Sequence, residues 1–192
     1  PVSMSYTVPH HSSVVQDSVG HAPAAVHPRN ATSVFVLRGD GASQLVAAMH
    51  QQAVRHGGTR IAGFVVADDD DGELSISRWS EKKWSFTKGK STNLIALHSV
   101  AMPELQADAD VVILDGLCRA VMLSHQVREA VKERCLKGVV VLSVAPDLCE
   151  DAIISGILQS RRVRLFDVDD SSNTTLREQL SVCLASALTT VK

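Results

Sequence analysis

Aromatic residues are scarce in this 192-residue chain: four Phe, two Trp and one Tyr, 4% in all. Its core has to be built from Val, Leu, Ile and Ala, and a hydrophobic share of 45% makes a sizeable one feasible. Charge of either sign is not in excess. A formal net charge of −2 excludes polyanion binding by the whole surface and leaves room only for a local basic patch. The four cysteines, Cys118, Cys135, Cys149 and Cys183, share no C-x-x-C spacing. They read as free, buried thiols in a reducing compartment rather than as disulfides or metal ligands. No apolar run approaches the roughly 18 residues of a membrane span. The start of the chain has no continuous apolar core of the kind a secretory signal needs. It opens at Pro1 without a methionine, which is compatible with a removed mitochondrial presequence or with trimming. The mitochondrial matrix is the expected location, with the cytoplasm as the alternative.

What is present divides near residue 33. Residues 1–32 hold four of the six prolines and four of the eight histidines, with no hydrophobic period of 2 or 3.6. They are expected to form an extended N-terminal tail, held either by the domain or by a partner. His10, His11, His21 and His27 in it lack the fixed spacing of a metal site. Residues 33–192 are expected to form one domain, in which short apolar runs alternate with helical stretches.

The apolar run over 34–37 leads into a glycine turn at 38–41. From Ser43 a helical pattern puts Leu45, Val46, Met49 and Ala53 on one side. Gly57 and Gly58 stop that helix. Residues 59–67, TRIAGFVVA, read as a strand, 68–72 as a solvated acidic turn, 73–79 as an alternating strand and 81–86 as its hairpin partner. Residues 93–105 read as a strand edge followed by a short helix near Pro103. Strands are expected at 110–115, 138–144 and 162–168, and helices at 124–137, 146–158 and 173–188. In the last helix Leu176, Leu180, Val182, Cys183, Leu184 and Leu188 are expected to face inward. Strands alternating with helices predict a parallel α/β sheet.

Strand, glycine turn and helix is the layout of a nucleotide-binding first unit. A working phosphate loop reads G-x-x-x-x-G-K-[ST], and its Lys reaches the β/γ-phosphates. Here the turn is shorter and Ala42 stands at the Lys position. Asp40 inside the turn would repel a phosphate. Gly39, Gly41 and Ser43 are what remains of such a cradle. Residues 111–115, VVILD, match the second half of a nucleotide-hydrolase signature, an apolar strand ending in an Asp that holds Mg²⁺.

With these pieces in order, residues 33–188 resemble the cancer-related nucleoside triphosphatase family of small P-loop proteins. The family's opening strand, loop and helix correspond to residues 34–49. The Gly-Phe pair ending its second strand is matched by Gly63-Phe64, and its inserted hairpin by residues 73–86. Its Asp-Glu-Ile-Gly-x-Met-Glu-Leu-x-Ser run aligns without gaps to 115–124, DGLCRAVMLS. Its late strand and Asn-Arg-x-x-Leu segment resemble 163–168 and 173–176. The resemblance implies a three-layer P-loop NTPase-like α/β fold carrying an inserted β-hairpin. It also implies a nucleotide site at Gly39, Gly41, Ser43 and Asp115. In the family the loop Lys neutralises phosphate charge, and an acid after the Mg²⁺-site Asp helps to activate water. Those two positions read Ala42 and Gly116 here, so the expected site is degenerate: no catalytic residue, no metal, no resident cofactor beyond a vestigial nucleotide with Mg²⁺.

One surface segment stands apart. Residues 78–90, RWSEKKWSFTKGK, carry five cations and three aromatics, including both tryptophans. Arg78, Trp79, Lys82, Lys83, Trp84, Phe86, Lys88 and Lys90 form the candidate partner-binding set. On a hairpin Trp84 and Phe86 would share one face, with Lys83 on the other. Such a mixture suits a protein interface and also RNA backbone and base stacking. It equally suits aromatics that cover the sheet while lysines stay solvated. The function expected from the whole chain is a non-catalytic structural subunit of a large assembly, the mitochondrial ribosome foremost, contacting other subunits through the tail and residues 78–90. The alternatives are a nucleotide-binding regulator without turnover and a surviving nucleoside triphosphatase.

Overall fold

The computed structural model describes residues 34–191 apart from positions 70, 80, 90, 149, 150, 161 and 170–172. The tail expected over 1–32 lies outside the described residues, as do Lys90, Cys149 and Arg161. The order of elements is β1 (Val34–Arg38), α1 (Ala42–Arg55), β2 (Ile61–Asp68), β3 (Leu74–Arg78), β4 (Trp84–Ser85), β5 (Thr87–Lys88), β6 (Ser91–Thr92) and α2 (Leu94–Gln106). There follow β7 (Val111–Leu117), α3 (Arg119–Met122), α4 (His125–Lys137), β8 (Val139–Val144), α5 (Ala152–Leu158), β9 (Val163–Asp167) and α6 (Asn173–Val191).

Seven strands form one sheet in the order β4-β3-β2-β7-β8-β1-β9. The five from β2 to β9 run parallel, and β3 and β4 are added antiparallel beside β2. This is the expected parallel α/β sheet with its inserted hairpin; β5 and β6 form a separate small ribbon. The central strands are buried on both sides, which explains their unbroken Val, Ile and Leu runs. Alternate residues serve different layers. Val34, Val36, Val112, Leu114, Val140 and Leu142 face the core under α2, α4 and α5. Phe35, Leu37, Val111, Ile113, Val139 and Val141 face the core under α1 and α6.

Three expectations need correction. Residues 94–106 are a single helix rather than a strand edge followed by a short helix near Pro103. Asn93 caps it by accepting from the backbone N–H groups of Ile95 and Ala96, both at 3.1 Å. Leu97, Val100, Ala101 and Leu105 then supply its buried stripe. Pro103 sits inside this helix, at the cost of one backbone bond to the Ser99 carbonyl. The helix expected over 146–158 is interrupted: a 3₁₀ turn, Pro146–Leu148, precedes α5, which has its own cap where Asp151 accepts from Ile153 N–H at 2.9 Å. In α6, Leu180, Leu184, Ala187 and Leu188 are buried while Val182 is 70% exposed, because it lies on the helix's outer side. None of the described cysteines, Cys118, Cys135 and Cys183, is held in a disulfide. Cys135 is buried, and burial pushes its thiol up to about 12, whereas the other two are half-buried. No helix among the described residues is long and apolar enough to cross a membrane.

Replacing the exposed Pro103 by Ala restores a donor to α2. The gain is tempered by the greater freedom of the unfolded chain, so the expected net stabilisation is about 1 kcal/mol, measured as a rise in the urea unfolding midpoint.

Candidate functional site

The site expected from the sequence lies at the carboxyl ends of β1, β7 and β8, where ligands bind in such sheets. Asp115 shares its parity with Val111 and Ile113 and so points to the α1 side of the sheet. There it is 5% exposed. Its Oδ1 accepts from Ser43 Oγ at 2.8 Å and from Ser143 Oγ at 2.6 Å. The structure thus brings Ser43 and Asp115, two of the residues named from the sequence, into direct contact. It adds Ser143, which sequence reasoning passed over. The available signal was a lone hydroxyl in the otherwise apolar strand 139–144, VVVLSV.

Beyond Asp115 the strand does not end. It runs on to Leu117 through an irregularity: Leu114 pairs with Leu142 and Leu117 with Val144, so β7 takes three steps where β8 takes two. This is a β-bulge, and Gly116 occupies it at φ +78°. The Gly116 N–H donates to Ser143 Oγ at 2.6 Å. A Cβ added at Gly116 would stand 2.3 Å from the carbonyl oxygen of Val66 on β2. The position aligned with the family's acid therefore admits no side chain without backbone movement.

The glycine turn after β1 is equally constrained. Gly39 has φ +110°, and a Cβ there would meet Val168 O at 2.1 Å. That closeness follows from the chain leaving β9 alongside the turn, with Val168 N–H donating to Arg38 O at 2.8 Å. Gly41 caps α1 by backbone alone, with no side-chain cap. Ala42, at the position aligned with the phosphate-loop Lys, is 4% exposed, and its methyl belongs to the core beneath α1. Arg38 forms an ion pair with Asp167, its register partner on β9, Nη2 lying 3.2 Å from Oδ2. The Arg38 guanidinium, in turn, holds the Asp167 carboxyl below its usual range. Asp40 is exposed in the turn.

The segment 78–90 is divided by the fold. Arg78 Nε lies 3.0 Å from Glu104 Oε1, with Glu81 at 3.7 Å. Trp79 turns inward: it stacks on His50 with centroids 4.2 Å apart and planes 9° from parallel, and its Nε1–H donates to Ile113 O at 3.0 Å. Phe86 is 1% exposed and packs in the core under α2, so it does not share an outer face with Trp84. The reason is local: Phe86 N–H donates to Leu74 O at 2.9 Å and Phe86 O accepts from Asn93 N–H at 2.6 Å, which draws the residue under the ribbon. Trp84 stays 55% exposed with Lys82 Nζ 5.8 Å from its ring. Lys83 and Lys88 are exposed nearby, and Lys90 lies outside the described residues.

The remaining sequence candidates are absorbed by the fold. His98 Nε2 bonds Ser124 Oγ at 2.6 Å. In the acidic turn, Asp69 Oδ1 accepts from the N–H groups of Asp71 and Glu73, shaping a hairpin tip. No cluster of His, Cys, Asp or Glu that could hold a metal occurs among the described residues.

Two solved structures share this architecture. The crystal structure of THEP1 from the hyperthermophile Aquifex aeolicus superposes with a TM-score of 0.63 at 17% identity, over 77% of this chain and 95% of that one. The solution structure of a human cancer-related nucleoside triphosphatase gives a TM-score of 0.62 at 15% identity, over 82% and 99%. The chain has a P-loop NTPase-like fold. No family model and no curated protein matches the chain. At these identities the likeness carries the fold alone and carries no activity.

Two outcomes follow from this geometry. Asp115→Ala removes the common acceptor of Ser43 and Ser143 and is expected to cost about 1–3 kcal/mol of stability, with Asp115→Asn costing less because it keeps an acceptor oxygen; urea denaturation measures both. Burial lowers the His50 pKa from its usual value. Stability is then complete above about pH 6.5 and is lost as pH falls towards the folded-state pKa, because the unfolded chain takes up the proton that the buried ring resists. His50→Phe keeps a ring on Trp79 and should flatten this part of the profile, read from unfolding midpoints at pH 7.5 and 5.5.

Proposed function

We propose that this chain is a non-catalytic descendant of the P-loop fold that serves as a structural subunit of a large assembly. The observation that carries the proposal is the physical occupancy of the two positions where phosphoryl transfer needs charge. Ala42 is core, and the Cβ position of Gly116 is taken by the Val66 carbonyl. Phosphoryl transfer rests on positioning and charge stabilisation. A loop with a buried methyl for its cation, an exposed Asp40 and an Arg38 engaged by Asp167 provides neither. What the fold retains is a rigid α/β body with an exposed Trp84, Lys82, Lys83 and Lys88 at one sheet edge. An aromatic flanked by cations suits a protein-facing contact surface, and the near-neutral charge fits a peripheral position among proteins. The mitochondrial ribosome in the matrix is the first assembly to test, by analogy with other enzyme-like folds built into large particles.

A second reading is favoured by one observation, the intact Ser43–Asp115 bond. It would make the chain a nucleotide-binding regulator without turnover.

One experiment separates the readings. Purified full chain with ATP or GTP and Mg²⁺ at millimolar concentration is expected to show neither hydrolysis nor a rise in Tm. A nucleotide present at 100 times its Kd would add about 2.7 kcal/mol. Thermal stabilisation without hydrolysis selects the regulator. Hydrolysis that vanishes in Asp115→Ala overturns the non-catalytic reading. Co-sedimentation of the tagged chain with mitochondrial ribosomal particles tests the assembly itself.

A further inference from the structure

The two edges of the sheet differ. At one end β4 offers two residues, Trp84–Ser85, too short to template another strand. At the other, β9 runs for five residues without proline or bulge, and no strand lies beyond it among the described residues. Two bonds fix the phase of its backbone. Val34 N–H donates to Arg162 O at 3.1 Å, and Val168 N–H donates to Arg38 O at 2.8 Å. The even-numbered residues of β9 therefore turn their N–H and C=O groups towards β1, and those of Val163, Leu165 and Asp167 point outward. The Val163 N–H is taken by Ser160 O at 3.1 Å. The N–H and C=O groups of Leu165 and Asp167 remain as a pairing edge.

The side chains along this edge carry charge of one sign. Arg162 and Arg164 are exposed, and neither forms an ion pair among the described residues. Arg164 lies 5.9 Å from the centre of the Phe166 ring, and its Nη1 donates to Cys183 Sγ on α6 at 2.9 Å. Arg162 Nη1 donates to Leu136 O at 3.1 Å. The acid of the strand, Asp167, is engaged by Arg38. Between β9 and α6 lies an open groove of about 650 Å³, with Arg164, Leu165, Phe166 and Val182 among its lining residues. Leu165 is 39% exposed and Val182 70%. Glu178 also borders the groove. It precedes Cys183 by five residues, which sets it about 7.5 Å along the helix from the Arg164 end.

We propose that β9 receives an extended segment of another protein as an added antiparallel strand, with an acidic side chain opposite Arg164 and apolar ones opposite Leu165 and Phe166. Main-chain bonds to Leu165 and Asp167 supply the attachment, and alternate side chains supply the selection. The antiparallel direction gives the stronger ladder. A second copy of this chain fits poorly. Its β9 brings VRLFD, whose acid is already engaged by Arg38 and whose arginine adds like charge. Charges on an edge strand discourage indiscriminate pairing; here the same charges favour an acidic partner over a neutral or basic one. Strand addition at β9 requires neither a nucleotide at the β1 turn nor membership of a ribosome.

The test titrates the purified full chain against two labelled peptides, Thr-Val-Ile-Glu-Thr-Glu and Thr-Val-Ile-Lys-Thr-Lys, by fluorescence anisotropy. Laid antiparallel, the first sets Val opposite Phe166, Ile opposite Leu165 and its acids opposite Arg164 and Arg162. It is expected to bind about tenfold more tightly than the second, the scale of one charge-assisted pair, and Arg164→Glu is expected to reverse the preference. Amide deuterium exchange at Leu165 and Asp167 should slow on binding, with α1 and β7 unchanged. Equal affinity for the two peptides, no binding, or protection confined to other elements overturns the proposal. So does slow exchange at both amides before any peptide is added, since the edge is then already covered. Leu165→Pro removes an outward N–H without breaking a bond to β1. It is expected to abolish binding of the acidic peptide while β1 amides still exchange slowly, and retained binding overturns strand addition.

Discussion

One extra residue in β7 governs the centre of this molecule. Between Leu114 and Leu117 the strand is longer by one step than its neighbour β8. Without the bulge, Leu117 would share the parity of Asp115 and face α1. With it, Leu117 turns into the core beneath α2 and α4, while Asp115 stays on the α1 side. The same extra step leaves the Gly116 N–H outside the ladder, and Ser143 Oγ accepts from it while its own O–H donates to Asp115 Oδ1. A buried carboxylate, two hydroxyls and a bulged amide thus satisfy one another in a region where an unpaired polar group would be costly.

The two ends of the strand array are anchored differently. On the β9 side, the Arg38–Asp167 pair and the Val168–Arg38 backbone bond fasten the β1 turn to the last strand. Both members of that pair are substantially exposed, so its contribution is orientation more than energy. On the β3 side, Trp79 crosses back over the sheet to reach His50 on α1 and the Ile113 carbonyl on β7. One side chain thereby ties the inserted hairpin to helix α1 and to the central strand β7. The basic partners that flank Trp79 in sequence are left at the surface.

The sheet was legible in the sequence because its central strands are buried on both faces, so 34–37, 111–115 and 139–144 are continuous apolar runs with little competing periodicity. The start of α4 at Ser124 was legible because it is a local signal, a capping hydroxyl ahead of a helical pattern; the hydrogen bond from Ser43 to Asp115, 72 residues away, was not. Long-range consequences were hidden. In 115–117, Asp-Gly-Leu, the glycine was the one local signal for a bulge, but the strand read as ending at Asp115, and the step mismatch with β8 is not visible in the sequence. Trp79 and Phe86 read as members of a surface cluster because they lie among cations; only the return of the chain through Asn93 and the position of α1 draw them inward. A short helix was read near Pro103; the buried face of α2 extends it back to Leu94.

Ala42 and Gly116 also limit what can be substituted there. Each is held by packing, one by a core that receives its methyl and the other by a carbonyl that occupies its missing Cβ. A lysine at the first position or a carboxylate at the second would have to be accommodated before it could do any chemistry. Each step alone lowers stability, and proteins tolerate few such steps before folding fails. Charged side chains at both positions at once would therefore call for compensating changes in the surrounding core and sheet.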